Sequence, residues 1–394
     1  VYSIMVYIFD TVHGHIHFST LEQKYLDNRW TKRLKRIKQL GLIDHVFPCA
    51  SHSRFEHSVG VSHLAEKYIN VLERNSKNIQ FTYETKMCVK LAGLFHDLGH
   101  GPFSHIFDNG ISRKKNITHE MRSRNIVEYI FKDVGTQPEL KSAYIIDYIK
   151  EMIEPVGKII NSNNMALYSI INNTTNSIDV DKFDYLLRDP AHIGLDYSFN
   201  YERIFNKSYI YKNQIIYDNS LIPNILDLFL TRYKFHKDVC NHKTVKLIEL
   251  MFADALQLAN DVYGFDDIIQ TEEFIQLDDS IYTQILFSSN KDLQQSKQIL
   301  QRIENRQLYK LLWSGKCKSK DEINEIIEDK FSDYNKKHLR TVTTTLNLCN
   351  GNRSPLENIL FSKNNVIQSH PYTNTQLYPT IFEENNTMIY YTAL

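Results

Sequence analysis

A helical rhythm runs through most of residues 20–310, and it restricts the fold of this chain more than any other feature. In residues 55–74, Val61, Leu64, Tyr68 and Val71 recur at spacings of three and four, which places them on one face of an α-helix. Residues 84–98 repeat the pattern with Met87, Leu91, Leu94 and Leu98, and it stops at Gly99 and Gly101-Pro102. Residues 222–262 read as one long helical stretch with Leu226, Phe229 and Tyr233 on one side, and residues 290–312 as another helix. Stripes of this kind must be buried against one another, so the expected class is mainly α.

Strand texture is confined to short segments. Val1–Asp10 is apolar and reads as a buried strand; residues 208–217 suggest a hairpin around Lys212-Asn213. Asn161–Asn164 and Asn172–Asn176 read as turns. After about residue 315 a charged helix, Lys320–Phe331, precedes Thr- and Tyr-rich strand-like segments, and Thr380–Leu394 reads as a hairpin around Asn385-Asn386. The 394 residues exceed one small core, so the expected division is a helical core over 1–312 and a small α+β C-terminal lobe over 313–394. With 24 Tyr, 21 Phe and 2 Trp, the chain carries enough aromatic area to offset its conformational entropy, which argues against disorder.

Charge and cysteine usage exclude several classes. Lys+Arg and Asp+Glu both number 46, so a protein coating nucleic acid by bulk charge is not expected. Cys49, Cys88, Cys240, Cys317 and Cys349 are scattered without a Cys-x-x-Cys pair, which points to reduced thiols in an intracellular, cytoplasmic setting, with the nucleus left open. No run of 18 apolar residues exists, so no membrane span is expected, and the N-terminus lacks a signal-peptide pattern. Position 1 is Val, so the start reads as trimmed.

Histidine shows where chemistry gathers, since 14 of the 16 lie before residue 243. The strongest local signal is Leu94-Phe95-His96-Asp97-Leu98-Gly99-His100-Gly101-Pro102-Phe103-Ser104-His105. Two polar side chains at the end of an apolar helix need partners or carry a burial penalty. A metal ion satisfies both; so does a plain His–carboxylate hydrogen bond. His100, four residues after His96, is expected on the same helix face. Two other segments add weight to the metal. Arg54-Phe55-Glu56-His57-Ser58 opens a helix, and residues 178–189 hold Asp179, Asp181, Asp184 and Asp189 with Lys182, Tyr185 and Arg188. On a helix Asp181, Tyr185 and Asp189 share a face. His57, His96, Asp97 and Asp181 together suit a borderline-to-hard divalent ion, able to polarise a phosphoryl oxygen and acidify water.

At these residues the chain resembles the HD-domain phosphohydrolases, named for their His…His-Asp…Asp ligands. Residues 10–15, 38–41, 46–60, 92–108, 118–120 and 178–189 are similar to the vertebrate SAM-and-HD-domain deoxynucleoside triphosphate triphosphohydrolases. The likeness runs from about residue 8 to 312 and continues weakly through the tail, most clearly at Pro355–Phe361; no SAM domain precedes it. The resemblance implies an HD-domain helical core and hydrolysis of a dNTP by water at the α-phosphorus, releasing a deoxynucleoside and intact triphosphate. It implies His57, His96, Asp97 and Asp181 as ligands of one divalent transition metal (Fe, Mn, Zn or Ni), with Mg as a further candidate. His105 matches the general acid, supported by Asp108, and His100 and His119 match positions facing the phosphates. A near-neutral imidazole suits such proton transfer.

The same resemblance assigns phosphate clamping to Arg54, Lys182, Tyr185 and Arg232. Arg232, His236 and Lys243 also fall within about 40° of each other on a continuous helix, forming a basic stripe that suits either polyphosphate or plain solvent. Gln39 and Asp189 match contacts to the 3′-hydroxyl, and Leu40 would crowd a ribose 2′-hydroxyl. Cys240 stands where the family has a Tyr against the nucleotide. Asp27, Val46, Phe47, Arg203, His242, Lys243, Arg306 and Lys310 match positions binding an activating GTP or dNTP between subunits of a homodimer or homotetramer. Lys32 and Lys35 depart from the family's guanine-reading residues, and Asp218 and Ser220 from its basic tetramer contacts.

Other readings stay open beside this one. Residues 29–38 offer a core-facing stripe of Trp30, Leu34 and Ile37 with a charged outer face, or a nucleotide or nucleic-acid contact as a secondary role. His13, His15 and His17 alternate along a strand and are expected to be structural; His338 and His370 are expected at the surface, and His192 near Asp189. A nucleotidase or phosphodiesterase of the wider HD class, or a nucleic-acid-binding module, are the alternative functions.

Overall fold

The computed structural model describes residues 6–111, 116–135, 137, 140, 145–154, 165–317, 319–369 and 382–393. An antiparallel hairpin, β1 (Val6–Asp10) and β2 (Gly14–Phe18), leads into α1 (Thr20–Leu26) and α2 (Arg29–Arg33). The helical body continues with α3 (Arg54–Asn75), α4 (Tyr83–Phe95), α5 (His105–Gly110), α6 (His119–Val134) and α7 (Ile145–Ile153). Next come α8 (Met165–Ile171), α9 (Val180–His192), α10 (Tyr201–Asn206) and the hairpin β3 (Ser208–Tyr211) and β4 (Gln214–Asp218). After α11 (Ile222–Phe235), α12 (Lys243–Tyr263), α13 (Phe265–Ile268), α14 (Ile281–Leu286) and α15 (Gln294–Glu304), the C-terminal region adds β5 (Lys310–Gly315), α16 (Lys320–Lys330), β6 (Leu339–Asn347), β7 (Leu360–Lys363), β8 (Val366–Ser369) and β9 (Glu383–Tyr391). The class is mainly α, with a smaller α+β region at the C-terminal end.

Helix α3 is the scaffold. Ser53 and Glu56 close a reciprocal capping box at its start, which satisfies two of the otherwise unpaired amides there. Val61, Leu64, Tyr68 and Leu72 are fully or almost fully buried, and the helix packs against α4 and α9. Helices α3 and α9 carry His57 and Asp181, and the turn directly after α4 carries His96 and Asp97. The Trp30, Leu34 and Ile37 stripe is buried, as its spacing implies.

Several expectations need correction. The stretch 222–262 is not one helix: a π turn at His236–Cys240 ends it, and Asn241 donates its backbone N–H and side-chain amide to the His236 carbonyl at 2.9 and 2.8 Å. The helix expected over 290–312 stops at Glu304, where Arg306 turns left-handed (φ 57°) and the chain passes into β5. Asn385-Asn386 makes no turn; both lie inside β9, opposite Thr345 and Thr344, and the Thr345 hydroxyl donates to Asn385 Oδ1 at 2.6 Å. Cross-strand partners outweigh the turn preference of Asn. The first strand is not buried, since Tyr7 and Phe9 are 60% and 72% exposed. Helix α4 ends at Phe95, so His96 and His100 do not share a helix face; the chain tightens into successive turns at 97–99. Asn161–Asn164 and His370 lie outside the described residues, and His338 is half-buried against Tyr391.

The C-terminal region is stitched to the body. Strand β5 spans residue 312 and pairs with β9, while β4 pairs in parallel with β7 through Tyr217–Phe361. One four-stranded sheet, β3-β4-β7-β8, thus joins residues 208–218 to 360–369.

Candidate active site

The His-Asp turn sits where α4 ends. Its backbone carbonyls are held by Arg33, a fully buried side chain that donates to Leu98 O at 3.3 Å, His100 O at 2.9 Å and Leu277 O at 2.7 Å. The basic run 29–38 therefore sends one arginine inward. Four of its other five cations are in ion pairs, Arg29 with Asp133 and Glu272, Lys32 with Asp27, Arg36 with Asp278 and Lys38 with Asp44, and Lys35 lies over the Phe55 ring at 4.4 Å. A nucleic-acid contact there would have to displace these pairs.

His57 from α3, His96 and Asp97 from the turn, and Asp181 from α9 converge. His57 Nε2 lies 3.2 Å from His96 Nε2, 3.6 Å from Asp97 Oδ2 and 3.1 Å from Asp181 Oδ1; His96 Nε2 lies 3.4 and 3.5 Å from Asp97 Oδ1 and Asp181 Oδ1. Metal–ligand bonds of about 2.1 Å impose donor–donor edges of roughly 3.0–3.5 Å in octahedral or tetrahedral geometry, so these spacings fit one ion. The tautomers fit as well. His57 Nδ1 donates to Asp184 Oδ2 at 2.8 Å, and His96 Nδ1 donates to the Gly93 carbonyl at 2.8 Å, which leaves both Nε2 lone pairs facing each other. Two facing lone pairs and two carboxylates require a shared positive charge. Burial alone would lower the His57 pKa, but the carboxylates of Asp181 and Asp184 outweigh it and raise it to about 10. Burial would raise Asp97, yet His96 and Arg54 hold it well below the usual carboxylate range.

A cavity of about 380 Å³ opens beside this cluster. Gln39, Leu40, Arg54, His57, Asp97, His100, His105, His119, Asp181, Tyr185, Asp189 and His236 all line it. Asp181, Tyr185 and Asp189 do so from one face of α9, as their spacing implies. Arg54 donates to Ser104 Oγ at 2.6 Å and pairs with Asp97. Asp189 accepts from His52 Nε2 at 2.7 Å.

Four further groups crowd the floor of the cavity. The His100 and His119 rings stack with centroids 3.9 Å apart, His105 stands perpendicular to His100 at 5.0 Å, and Asp108 lies 3.4 Å from His119 Nδ1 while pairing with Arg122. His105 reaches the exposed side of this cluster, yet desolvation by the cavity wall, followed by the charges of His119 and Arg54, lowers its pKa to about 4. Burial drives His100 well below the usual histidine range, and it lowers His236 to about 3. The expectation of a near-neutral imidazole therefore does not hold for His105, His100 or His236.

Other expected residues lie elsewhere. Lys182 is not among the cavity-lining residues; its Nζ donates to Asp179 Oδ2 at 2.8 Å. Arg232 stands behind Tyr185 and donates to the Asn347 carbonyl at 3.4 Å. Because α11 ends at Phe235, Arg232 lies in α11, His236 in the π turn and Lys243 at the start of α12, so the basic stripe does not run along one helix. Lys246, which the stripe missed, lines the cavity and pairs with Glu249 at 2.8 Å. His192 stacks on His52 with centroids 4.2 Å apart. His52 and Asp184 were also missed; Asp184 lies in the acidic segment 178–189, but nothing in the spacing distinguishes it as the partner of His57.

Of the eight expected activator contacts, Phe47 meets the His242 ring with centroids 6.0 Å apart, with Val46 and Lys243 adjacent in sequence, and Arg306 donates to the His45 carbonyl. Asp27 pairs with Lys32, Arg203 Nε donates to Asn224 Oδ1 at 3.0 Å, and Lys310 opens β5.

A helical fold that gathers two imidazoles and two carboxylates from α3, α9 and the turn after α4 forms a group of the His…His-Asp…Asp type that could hold a divalent metal. Comparison with known proteins agrees. The HD domain matches residues 54–189, and the HD associated region matches residues 199–344. The deoxynucleoside triphosphate triphosphohydrolase SAMHD1 homolog of Dictyostelium discoideum is 38% identical over 77% of this chain and 59% of its own length. The human deoxynucleoside triphosphate triphosphohydrolase SAMHD1 is 31% identical over 98% of this chain and 70% of its own length. A putative HD domain-containing protein, L394, of Acanthamoeba polyphaga mimivirus is 34% identical over 89% and 83%. The chain belongs to the SAMHD1-like family of HD-domain proteins. It spans only 56–59% of the length of the Dictyostelium, Xenopus laevis and Bos taurus relatives.

Proposed function

We propose that this chain hydrolyses deoxynucleoside triphosphates to a deoxynucleoside and intact triphosphate. The observation that carries the reading is the cavity itself: His57, Asp97 and Asp181, which converge with His96, line it together with Arg54, His100, His105, His119, Tyr185 and Asp189. The names of the Dictyostelium and vertebrate relatives supply the substrate class.

His57, His96, Asp97 and Asp181 would hold a divalent ion, of the iron, manganese, zinc or nickel kind with Mg²⁺ as a further candidate, which would supply Lewis acidity toward a phosphoryl oxygen and lower the pKa of water. The chain's own residues do the rest. Arg54, rigidly bonded to Ser104, presents fixed positive charge to a polyphosphate. Lys182, once drawn from Asp179 by that polyanion, adds another cation. His100 and His119 stand on the phosphate side. His105 is the general acid for the departing 5′-oxygen, and the negative charge of bound triphosphate raises its depressed pKa toward the working range. Asp108, fixed by Arg122, orients the histidine cluster. Gln39 and Asp189, the latter held by His52, contact the 3′-hydroxyl, and Leu40 leaves no room for a 2′-hydroxyl. The Phe47–His242 region, with Asp27, Arg203, Arg306 and Lys310 contributed at subunit contacts, takes GTP or a dNTP as activator in a dimer or tetramer, in the cytoplasm.

The test is a product assay on purified protein with each dNTP, with and without GTP or dGTP. Deoxynucleoside plus triphosphate is expected, with loss of at least about two orders of magnitude in Asp97→Ala. Monophosphate with pyrophosphate, or free phosphate, as the product would overturn the assignment.

A further inference from the structure

We infer that the turn of the β1–β2 hairpin belongs to the metal centre, with His13 and Asp184 as positioning residues that hold His57 in its ligating tautomer and set its metal affinity. The inference rests on the reading of His57 as a ligand.

Asp184 is completely buried, yet each carboxylate oxygen is doubly engaged. Oδ2 accepts from His57 Nδ1 at 2.8 Å and from Arg188 Nε at 2.8 Å; Oδ1 accepts from His13 Nε2 at 2.7 Å and from Arg188 Nη2 at 3.0 Å. The His13 side chain is itself 2% exposed and reaches Asp184 across 171 residues of sequence. The hairpin turn is built to deliver it. Asp10 Oδ1 accepts from the Val12 and His13 amides at 2.8 and 2.9 Å, and its other oxygen pairs with Arg188 at 2.8 Å.

The chemistry follows from the tautomer. Asp184 accepts the Nδ1 proton of His57, so the Nε2 lone pair faces the other three ligands. A neutral His57 with its proton on Nε2 would aim N–H at the ion instead. Without His13, a buried carboxylate oxygen loses a partner, and Asp184 is left with Arg188 pulling it away from His57. Gly60 is what permits the approach, because a Cβ there would collide with the Asp184 carboxylate.

The experiment measures Mn²⁺ and Co²⁺ dissociation constants of the full chain by chelator competition, together with the Co²⁺ ligand-field spectrum. His13→Ala should weaken binding about 10-fold, and Asp184→Asn between about 10- and 100-fold, each with an altered spectrum. His13→Gln keeps a donor and should restore most of the affinity. His15→Ala, two residues on and on the exposed face of β2, should leave affinity unchanged. Should His13→Ala not fold, His13→Gln and His13→Met, similar in length and differing in the donor, carry the comparison. Wild-type affinity and spectrum in His13→Ala, or in His13→Met, overturn the inference while the metal reading stands. A wild-type chain that binds neither ion overturns both.

Discussion

At the scale of single residues, the cavity depends on groups that never reach it. Asp279 accepts the Lys38 amide at 2.8 Å and the Phe103 amide at 2.6 Å, tying the Gln39–Leu40 loop to the turn that carries Ser104 and His105. Phe103 and Ser104 both have positive φ, 53° and 60°, a conformation costing about 1–3 kcal/mol for each such residue. The bonds to Asp279 and Arg54 hold them there. Burial raises the Asp279 pKa from 3.8 to about 6, outweighing the two amides. Because the folded pKa is raised, this group's contribution to stability is full below about pH 3.8 and is lost as pH rises through about 6. At 1.36 kcal/mol per unit, the stability difference between wild type and Asp279→Asn should shift by about 3 kcal/mol between roughly pH 4 and pH 7, wild type losing ground as pH rises. Urea unfolding across that range checks it; a constant difference would show that Asp279 does not titrate there.

At the scale of elements, two glycines set how closely helices approach. A Cβ on Gly99 would strike the His119 carbonyl and the Ser123 amide, so only glycine lets the start of α6 lie against the His-Asp turn. A Cβ on Gly60 would meet Asp184 and Arg188, at the seam of α3 and α9. Helix propensity alone favours alanine over glycine by about 1 kcal/mol. Overpacking at a rigid, buried ion pair costs about 1–3 kcal/mol and should win. Gly60→Ala is therefore expected to lower the unfolding free energy by up to about 2 kcal/mol net, read from denaturant midpoints at constant slope. A stabilised variant would mean that the two helices are free to move apart.

At the scale of the whole molecule, zero net charge conceals opposed local fields. Carboxylates collect at the metal donors, while Arg54 and Lys182 stand beside them. A second charged junction ties the C-terminal sheet to the body. Glu384 accepts from the Tyr233 hydroxyl at 2.6 Å and pairs with Lys237 at 2.9 Å and Lys316 at 3.1 Å. The hydrogen bond from Tyr233, then those from Lys237 and Lys316, lower its pKa to about 2. The folded pKa is depressed, so its contribution is present above about pH 4.5 and lost as pH falls through about 2. Pairs this exposed contribute about 1 kcal/mol or less, so Glu384→Gln should loosen the junction without unfolding the protein. Hydrogen exchange should accelerate in β9 and β6 at the Glu384 end and stay unchanged in α3 and α9. No change in the sheet would show that strand pairing alone secures it.

Much of this was legible from residue order. Helical spacing declared α3, α4 and α9, because a stripe that must be buried repeats with the helix period. The adjacent His96-Asp97 pair and the acidic run 178–189 pointed to side chains that the structure brings together with His57. The spacing of Asp181, Tyr185 and Asp189 placed them on one face, and the cavity lies on that face. Helix ends were not legible. The π turn at 236–240 and the stop at Glu304 depend on which carbonyls find partners, which local spacing does not show. Nor were the supports legible: His13 with Asp184, His52 with Asp189, Arg33 with the His-Asp turn. Each joins segments far apart in sequence, and local spacing carries no information about such pairs. Chemistry with a local pattern could be read from order alone. The groups that hold it in place were decided by packing, because burial leaves each of them only one place to find a partner.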